Sequence, residues 1–253
     1  MTYLFLKVLL VVLMTAAVAV AQKPAVDVSA LYSEGLTLLE SGKFDEAVAK
    51  FQETVAADKN NSAFHYALGL SLYRAGKYRP ALESFNRYNE LKPGPVADNQ
   101  IGITLMALER YDEALSHLEK ARSLNPDDRV IVQNTGLVLA RVGKFKEAIE
   151  RLERAKSLGQ DTAVLHLSLG YAYAKRKKYE KAIEEFRVVA RETPGDLSVR
   201  YALANLYMAV GNGPAAMTQQ RTVAELDPEM GRRLQRQLFS DKVISVDDLS
   251  KDR

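Results

Sequence analysis

Gly35, Gly69, Gly102, Gly136 and Gly170 stand 34, 33, 34 and 34 residues apart, and one further step of 34 reaches Ala204. A sustained period of that length confines the chain to an array in which each copy is one supersecondary unit stacked on the next. Other residues keep the same phase. Nine residues after each anchor come Phe44, Tyr78, Tyr111, Phe145 and Tyr179, with Gly213 in the sixth copy. Twelve after, all six copies have alanine: Ala47, Ala81, Ala114, Ala148, Ala182 and Ala216. Sixteen after come Phe51, Phe85, Leu118, Leu152 and Phe186, with Gln220 in the sixth. Four copies add a glycine seven after the anchor, at Gly42, Gly76, Gly143 and Gly211. Two small residues on paired helices let the helices approach closely. The aromatic and the large apolar residue then fill the space between one pair and the next.

The pattern predicts twelve helices in pairs. First helices are expected over 29–41, 62–75, 96–109, 129–142, 163–176 and 197–210, and second helices over 45–57, 79–91, 112–124, 146–158, 180–192 and 214–226. Pro93, Pro126, Pro194 and Pro228, each 24 after an anchor, end second helices because proline has no N–H for the helix ladder. Lys59 and Gln160 stand there in the first and fourth copies. Asn61, Asp128, Asp161 and Asp196 precede first helices as capping residues. Pro80 and Pro214 fall in first turns of second helices, where proline is tolerated. The sixth copy, with Gly213 and Gln220 at core places, reads as a looser terminal repeat. Residues 229–239 read as a capping helix. Met230, Leu234 and Leu238 form one apolar face, and Arg232, Arg233 and Arg236 lie off it. Residues 240–253 read as a polar, flexible tail.

Across about residues 28–228 these in-phase copies resemble the tetratricopeptide repeat family. The chain departs from the family four residues before each anchor. The family has Trp there, and this chain has Leu31, His65, Asp98, Val132, His166 and Arg200. The resemblance implies an all-α fold, a right-handed α-solenoid of six helix-turn-helix repeats (29–61, 62–94, 95–128, 129–162, 163–195 and 196–228) closed by the capping helix. It also implies a concave groove that binds peptides or protein segments. In the family this groove is lined from first helices, six, three and two residues before the anchor and one, four and five after it.

Carried onto this chain, those places give Tyr32 and Leu36, then Tyr66, Leu70, Tyr73 and Arg74, then Asn99, Gln100, Ile103 and Met106. They continue with Gln133, Asn134, Leu137 and Arg141, then Leu167, Tyr171 and Lys175, and finally Tyr201, Asn205 and Met208. Amides gather in the middle and tyrosines stand toward both ends. Amides offer donor and acceptor together to the main chain of an extended peptide, and Tyr gives contact area at low entropy cost. Any one of these tyrosines serves equally as packing between repeats. The family's clamp for a free C-terminal carboxylate is absent. Its cationic places hold Tyr32 and Leu36 in the first repeat and Ala63, Val96, Val130 and Val164 six before the next four anchors.

Other features bound the function. Residues 1–21 contain Lys7, an apolar or near-apolar run from Val8 to Ala21, and the end Ala19-Val20-Ala21, which matches a secretory signal peptide. An uncleaved membrane anchor is the alternative, and it would have to bury Lys7 to reach about 20 apolar residues. Residues 22–28 read as a linker, broken at Pro24. The 35 Lys plus Arg against 32 Asp plus Glu give a net charge of +3, too balanced for a nucleic-acid binder that works through a strong basic field. With no Cys and three His, thiolate chemistry and iron–sulfur clusters are excluded, and a histidine-based metal site is disfavoured. His65 and His166 repeat one place too far apart to share a metal, and His117 reads as a surface residue.

Lys175-Arg176-Lys177-Lys178 is either a solvated turn balanced by Glu180, Glu184 and Glu185 or a docking patch for an acidic surface or anionic lipid. No convergent catalytic group, cofactor motif or metal site stands out. The expected protein is therefore an exported, non-enzymatic interaction scaffold of the bacterial periplasm or envelope, with a protein or peptide as partner. It would have no membrane span after processing. Two other readings stay open: an accessory subunit of a catalytic or transport complex, and a protein that self-associates through its capping helix.

Overall fold

The computed structural model describes residues 27–238, which include thirteen α-helices and no strand. Residues 1–26 and 239–253, and with them the expected signal peptide, most of the linker and the tail, lie outside the described residues. The chain divides into two compact units, Met1–Gly76 and Lys77–Arg253.

The first unit contains α1 (Val28–Glu40), α2 (Phe44–Ala57) and α3 (Ser62–Arg74). The second contains α4 (Tyr78–Leu91), α5 (Pro95–Ala107), α6 (Tyr111–Leu124), α7 (Arg129–Arg141) and α8 (Phe145–Ser157). It continues with α9 (Ala163–Lys175), α10 (Tyr179–Glu192), α11 (Leu197–Ala209), α12 (Gly213–Leu226) and α13 (Pro228–Leu238). Each helix begins and ends within two residues of the place the periodicity assigned. Val28 is already helical and Asp27 caps it, so helix begins inside the segment expected to be linker.

Within each unit, turns of a few residues join paired helices, which must therefore run antiparallel. What lets them touch is the anchor. A Cβ added at Gly102 would lie 2.6 Å from Leu118 Cγ, and one at Gly136 2.7 Å from Leu152 Cγ. Those distances are far inside van der Waals contact. The alanines twelve residues on, Ala114, Ala148, Ala182 and Ala216, are fully buried on the facing helices. In the sixth copy the anchor is Ala204, whose Cβ takes up that space, and the large partner is replaced by Gln220.

In the second unit each helix packs on its neighbours in sequence, and the first helices α5, α7 and α9 also touch one after another. The second helices α6, α8 and α10 stand further apart. The row therefore curves with the first helices on its inner side, an arrangement consistent with an α-solenoid. The larger core cluster of this unit runs from Val132 to Leu206 and includes Leu165, Leu169, Phe186 and Leu203. A smaller cluster of Ala204, Ala216, Val223, Leu234 and Leu238 lies at its C-terminal end.

The caps are mostly the expected ones: Asn61, Asp128 and Asp196 accept from backbone N–H groups of their helices. The cap of α9 is Thr162 rather than Asp161. Thr162 Oγ1 accepts from Leu165 N, and Asp161 turns instead to His166.

Candidate functional site

The face that could meet a partner is the exposed side of the first helices. In the second unit it is built on α5, α7 and α9. Val96, Val130 and Val164 open these helices at the same repeat place and are 51%, 43% and 51% exposed. An exposed valine is common, but three in register on neighbouring helices make a row. The sequence displayed this row only as missing cations. Its exposure becomes visible once the helix faces are fixed.

The centre of the face is amide. Asn134 Nδ2 donates to Asn99 Oδ1 at 2.9 Å, across from α7 to α5. Gln133 Oε1 accepts from Thr162 Oγ1 at 3.0 Å. Gln100, Gln133 and Asn134 are largely buried, and Asn99 remains half-buried. Three of the expected ligand amides, Asn99, Gln133 and Asn134, therefore make hydrogen bonds that tie one repeat to the next. Burial explains this, because a buried amide without a partner is costly. Ile103 and Leu137, also expected there, are half-buried beside them.

At the other end of α7 and α9 stand Arg141, exposed, and Lys175, whose Nζ lies 5.3 Å from the centroid of Tyr171. Phe145 meets Tyr171 edge-on at 5.8 Å, which seats the turn after α7 against α9.

The sixth repeat differs from expectation. Tyr201 OH bonds Gln237, Gln237 Nε2 donates to Asn205 Oδ1 at 2.6 Å, and Asn205 Nδ2 donates to the Tyr201 carbonyl at 2.9 Å. Tyr201 and Asn205 thus bond Gln237 of α13. Met208, a turn further on, is exposed. In the first unit Tyr32 packs between Phe51 and Phe64, with ring centroids 5.6 and 5.2 Å away, so it serves packing. Tyr66, Leu70 and Tyr73 are half-buried on α3, and Leu36 and Arg74 are exposed.

Polar pairs are buried between the helices of single repeats. They join the place of the family's Trp to the residue nineteen further on. Asp98, fully buried, accepts from His117 Nδ1 at 2.8 Å, with Lys120 Nζ 3.1 Å from its second oxygen. In the fifth copy the polarity is reversed. His166 Nδ1 lies 2.5 Å from Glu185 Oε2 and its Nε2 2.6 Å from Asp161 Oδ1, while Lys156 donates to Glu185 Oε1 at 2.8 Å. Burial works against the Lys156 ammonium, but its bond to Glu185 and the nearby carboxylates hold its pKa above the ordinary lysine value. Arg200 likewise reaches Gln219 at 2.9 Å. His117, expected at the surface, is therefore half-buried and paired.

Next to this core, burial and a bond to Glu153 push the Tyr173 phenol well above the usual tyrosine range. Two open clefts lie at turns rather than on the first-helix face, one lined by Gly42 to Glu46 with Arg74, the other by Arg79, Leu82 and Arg110 among others. Among the described residues no group of three His, Cys, Asp or Glu is placed to hold a metal.

Family models described as tetratricopeptide repeat match residues 32–94, 95–161 and 134–196, a continuous stretch of more than half the chain. The chain belongs to the tetratricopeptide repeat family. Among curated proteins it is similar to anaphase-promoting complex subunit 3 of Schizosaccharomyces pombe (strain 972 / ATCC 24843), 29% identical over 101 residues. That match takes in 40% of this chain and only 15% of the yeast protein. Among solved structures, the APC/C hetero-tetramer Cut9–Hcn1 superposes with a TM-score of 0.74 at 20% identity, over 84% of this chain and 43% of that one. PilW, described as a widely conserved type IV pilus biogenesis factor, superposes with a TM-score of 0.72 at 17% identity, over 83% and 97%. At such identities these structures show a shared tetratricopeptide repeat fold, and that fold is consistent with a protein-interaction scaffold.

Proposed function

We propose that this protein is a non-catalytic scaffold that binds a segment of a protein partner on the first-helix face of its repeats. The observation that carries the reading is the face of α5, α7 and α9. It keeps valines exposed at one end, amides and Tyr171 at the centre, and cations at the other end, while the rest of these helices is spent on packing. Asn99, Ile103, Leu137 and Tyr171 are the contact residues proposed for the second unit, and Tyr66, Leu70 and Tyr73 for the first. Export to a bacterial envelope, and a role in assembling an envelope machine, complete the proposal. They are supported by the signal-like residues 1–21 and by the likeness to a pilus biogenesis factor. No helix among the described residues is long and apolar enough to cross a membrane.

The test is an affinity capture from an envelope extract, using the chain from residue 22 and an Asn99→Ala/Tyr171→Ala variant. A partner held by the parent chain and lost from the variant, with both chains equally helical by circular dichroism, is the expected result. A partner held equally by both would move the site off this face.

A further inference from the structure

Charge is unevenly placed on this chain. The turn after α7 carries Arg141, Lys144 and Lys146, and the turn after α9 carries five more cations between Lys175 and Lys181. Within 141–147 and 175–181 these eight meet two carboxylates, Glu147 and Glu180, with Glu150, Glu153, Glu184 and Glu185 one turn or more further along the second helices, in a chain whose whole net charge is +3. The two turns adjoin, because Lys144 and Lys146 flank Phe145, Phe145 contacts Tyr171, and Lys175 lies over the same Tyr171 ring. Arg141, Lys144, Lys146, Arg176 and Lys177 are exposed, and none makes an ion pair among the described residues. The neighbouring turns bound the patch. The turn after α5 has Glu109, Asp112 and Glu113, with Arg110 already bonded to Glu113 at 2.7 Å. The turn after α11 is the uncharged Gly211-Asn212-Gly213. Crowded cations repel one another in the free protein, and an anionic partner would relieve that repulsion.

The same two helices carry an apolar end. Val130 lies eleven residues before Arg141 on α7, and Val164 eleven before Lys175 on α9. Eleven residues are close to three helical turns, so each pair shares a face and is separated by about 16 Å. An extended chain covers that distance in about five residues. Only the fourth and fifth repeats combine both ends. The third has Val96 but Ala107 at the cationic place, and the sixth has Ser198 and Ala209.

We propose that the segment held on α7 and α9 is acidic. Its carboxylates lie over Arg141, Lys175 and the two basic turns, and an apolar side chain about five residues away rests on Val130 and Val164. This rests on the reading that the first-helix face binds a partner, and adds to it the chemistry of that partner. An anionic membrane is less well matched, because its headgroups would meet the turns without reaching the valines at the far ends of the helices.

The experiment measures fluorescence anisotropy of a labelled peptide with the full chain. The peptide has a run of four glutamates and a leucine five residues before it. The parent chain is compared with Lys144→Glu/Lys177→Glu and with Arg232→Glu/Arg236→Glu, which changes net charge equally but on exposed α13 residues. The expected result is an affinity lowered about tenfold or more by the first variant and little by the second, with a leucine-to-serine peptide binding several-fold more weakly. Equal weakening by both variants would overturn the proposal in favour of net charge alone. Binding to phosphatidylglycerol vesicles that needs Lys144 and Lys177, with no peptide binding, would overturn it in favour of a membrane. A peptide that never binds, while a captured partner is still lost from Asn99→Ala/Tyr171→Ala, would sink the acidic preference and leave the binding face standing. Peptide binding lost with the lysines but untouched by Asn99→Ala/Tyr171→Ala would do the reverse.

Discussion

Glu109 and Lys177 occupy backbone conformations that glycine occupies in the other repeats. Seven residues after the anchors, Gly42, Gly76, Gly143 and Gly211 have φ of 75°, 73°, 78° and 74°, while Glu109 and Lys177 have φ of 60° and 57°. The turn between paired helices needs this left-handed residue whatever its side chain, and a side chain there costs about 1–2 kcal/mol. Glu109 is exposed, and among the described residues its side chain makes no hydrogen bond or ion pair that would offset the strain. Glu109→Gly is therefore expected to raise stability by about 0.5–1 kcal/mol, the strain relief less the extra freedom glycine brings to the unfolded chain. A denaturation midpoint that fell would show that the backbone cost is smaller than that entropy. The turn was legible as a glycine place, but its two exceptions were not legible as strain, since nothing in the residue letters records φ. The buried pairs were hidden for a related reason. Asp98 with His117 and His166 with Glu185 are nineteen residues apart on different helices, and each residue alone looks like a surface charge.

At the scale of one helix, α13 packs on the sixth repeat. Its apolar side is covered by its own chain: Leu234 is fully buried and packs with Ala204, Ala216, Val223 and Leu238. Gly231 sits so close that an added Cβ would lie 2.4 Å from Ala224 Cα. Gln220, which the periodicity marked as a defect, donates to the Gly231 carbonyl at 3.0 Å, and Gln237 bonds Tyr201 and Asn205. The apolar face of α13 is thus covered by its own chain, and the side left to solvent carries Arg232, Arg233 and Arg236. Leu234→Ala is expected to lower stability by about 3 kcal/mol, within the range for emptying a fully buried leucine site. A loss under about 1 kcal/mol in urea unfolding would mean the cap collapses around the gap or contributes little. The helix and its apolar face were legible from a four-residue period. What it touches was not, because Gln220 and Tyr201 deviate from the repeat consensus in order to meet it.

Across the whole unit of residues 77–238, stability should be distributed unevenly. Its long-range polar bonds join residues of the same or adjacent repeats, as in Asn134 to Asn99, Thr162 to Gln133 and Lys156 to Glu185. In such an array stability is close to a sum of repeat terms and neighbour terms, so segments can open locally. The large cluster from Val132 to Leu206 lies over α7 to α11, while α12 and α13 rest on the small terminal cluster, in the one repeat whose anchor glycine and large apolar partner are both replaced. Native-state hydrogen exchange should therefore be slowest in α8 to α10 and faster in α12 and α13. Leu234→Ala sharpens the expectation, since it removes packing only at the terminal cluster. Exchange should then rise in α11 to α13 and stay unchanged in α7 to α9. A uniform rise across the unit would instead mean that residues 77–238 open as one cooperative block. Binding on α7 and α9 would then be exposed to destabilisation at the cap, whereas local opening leaves that face intact when the C-terminal end frays.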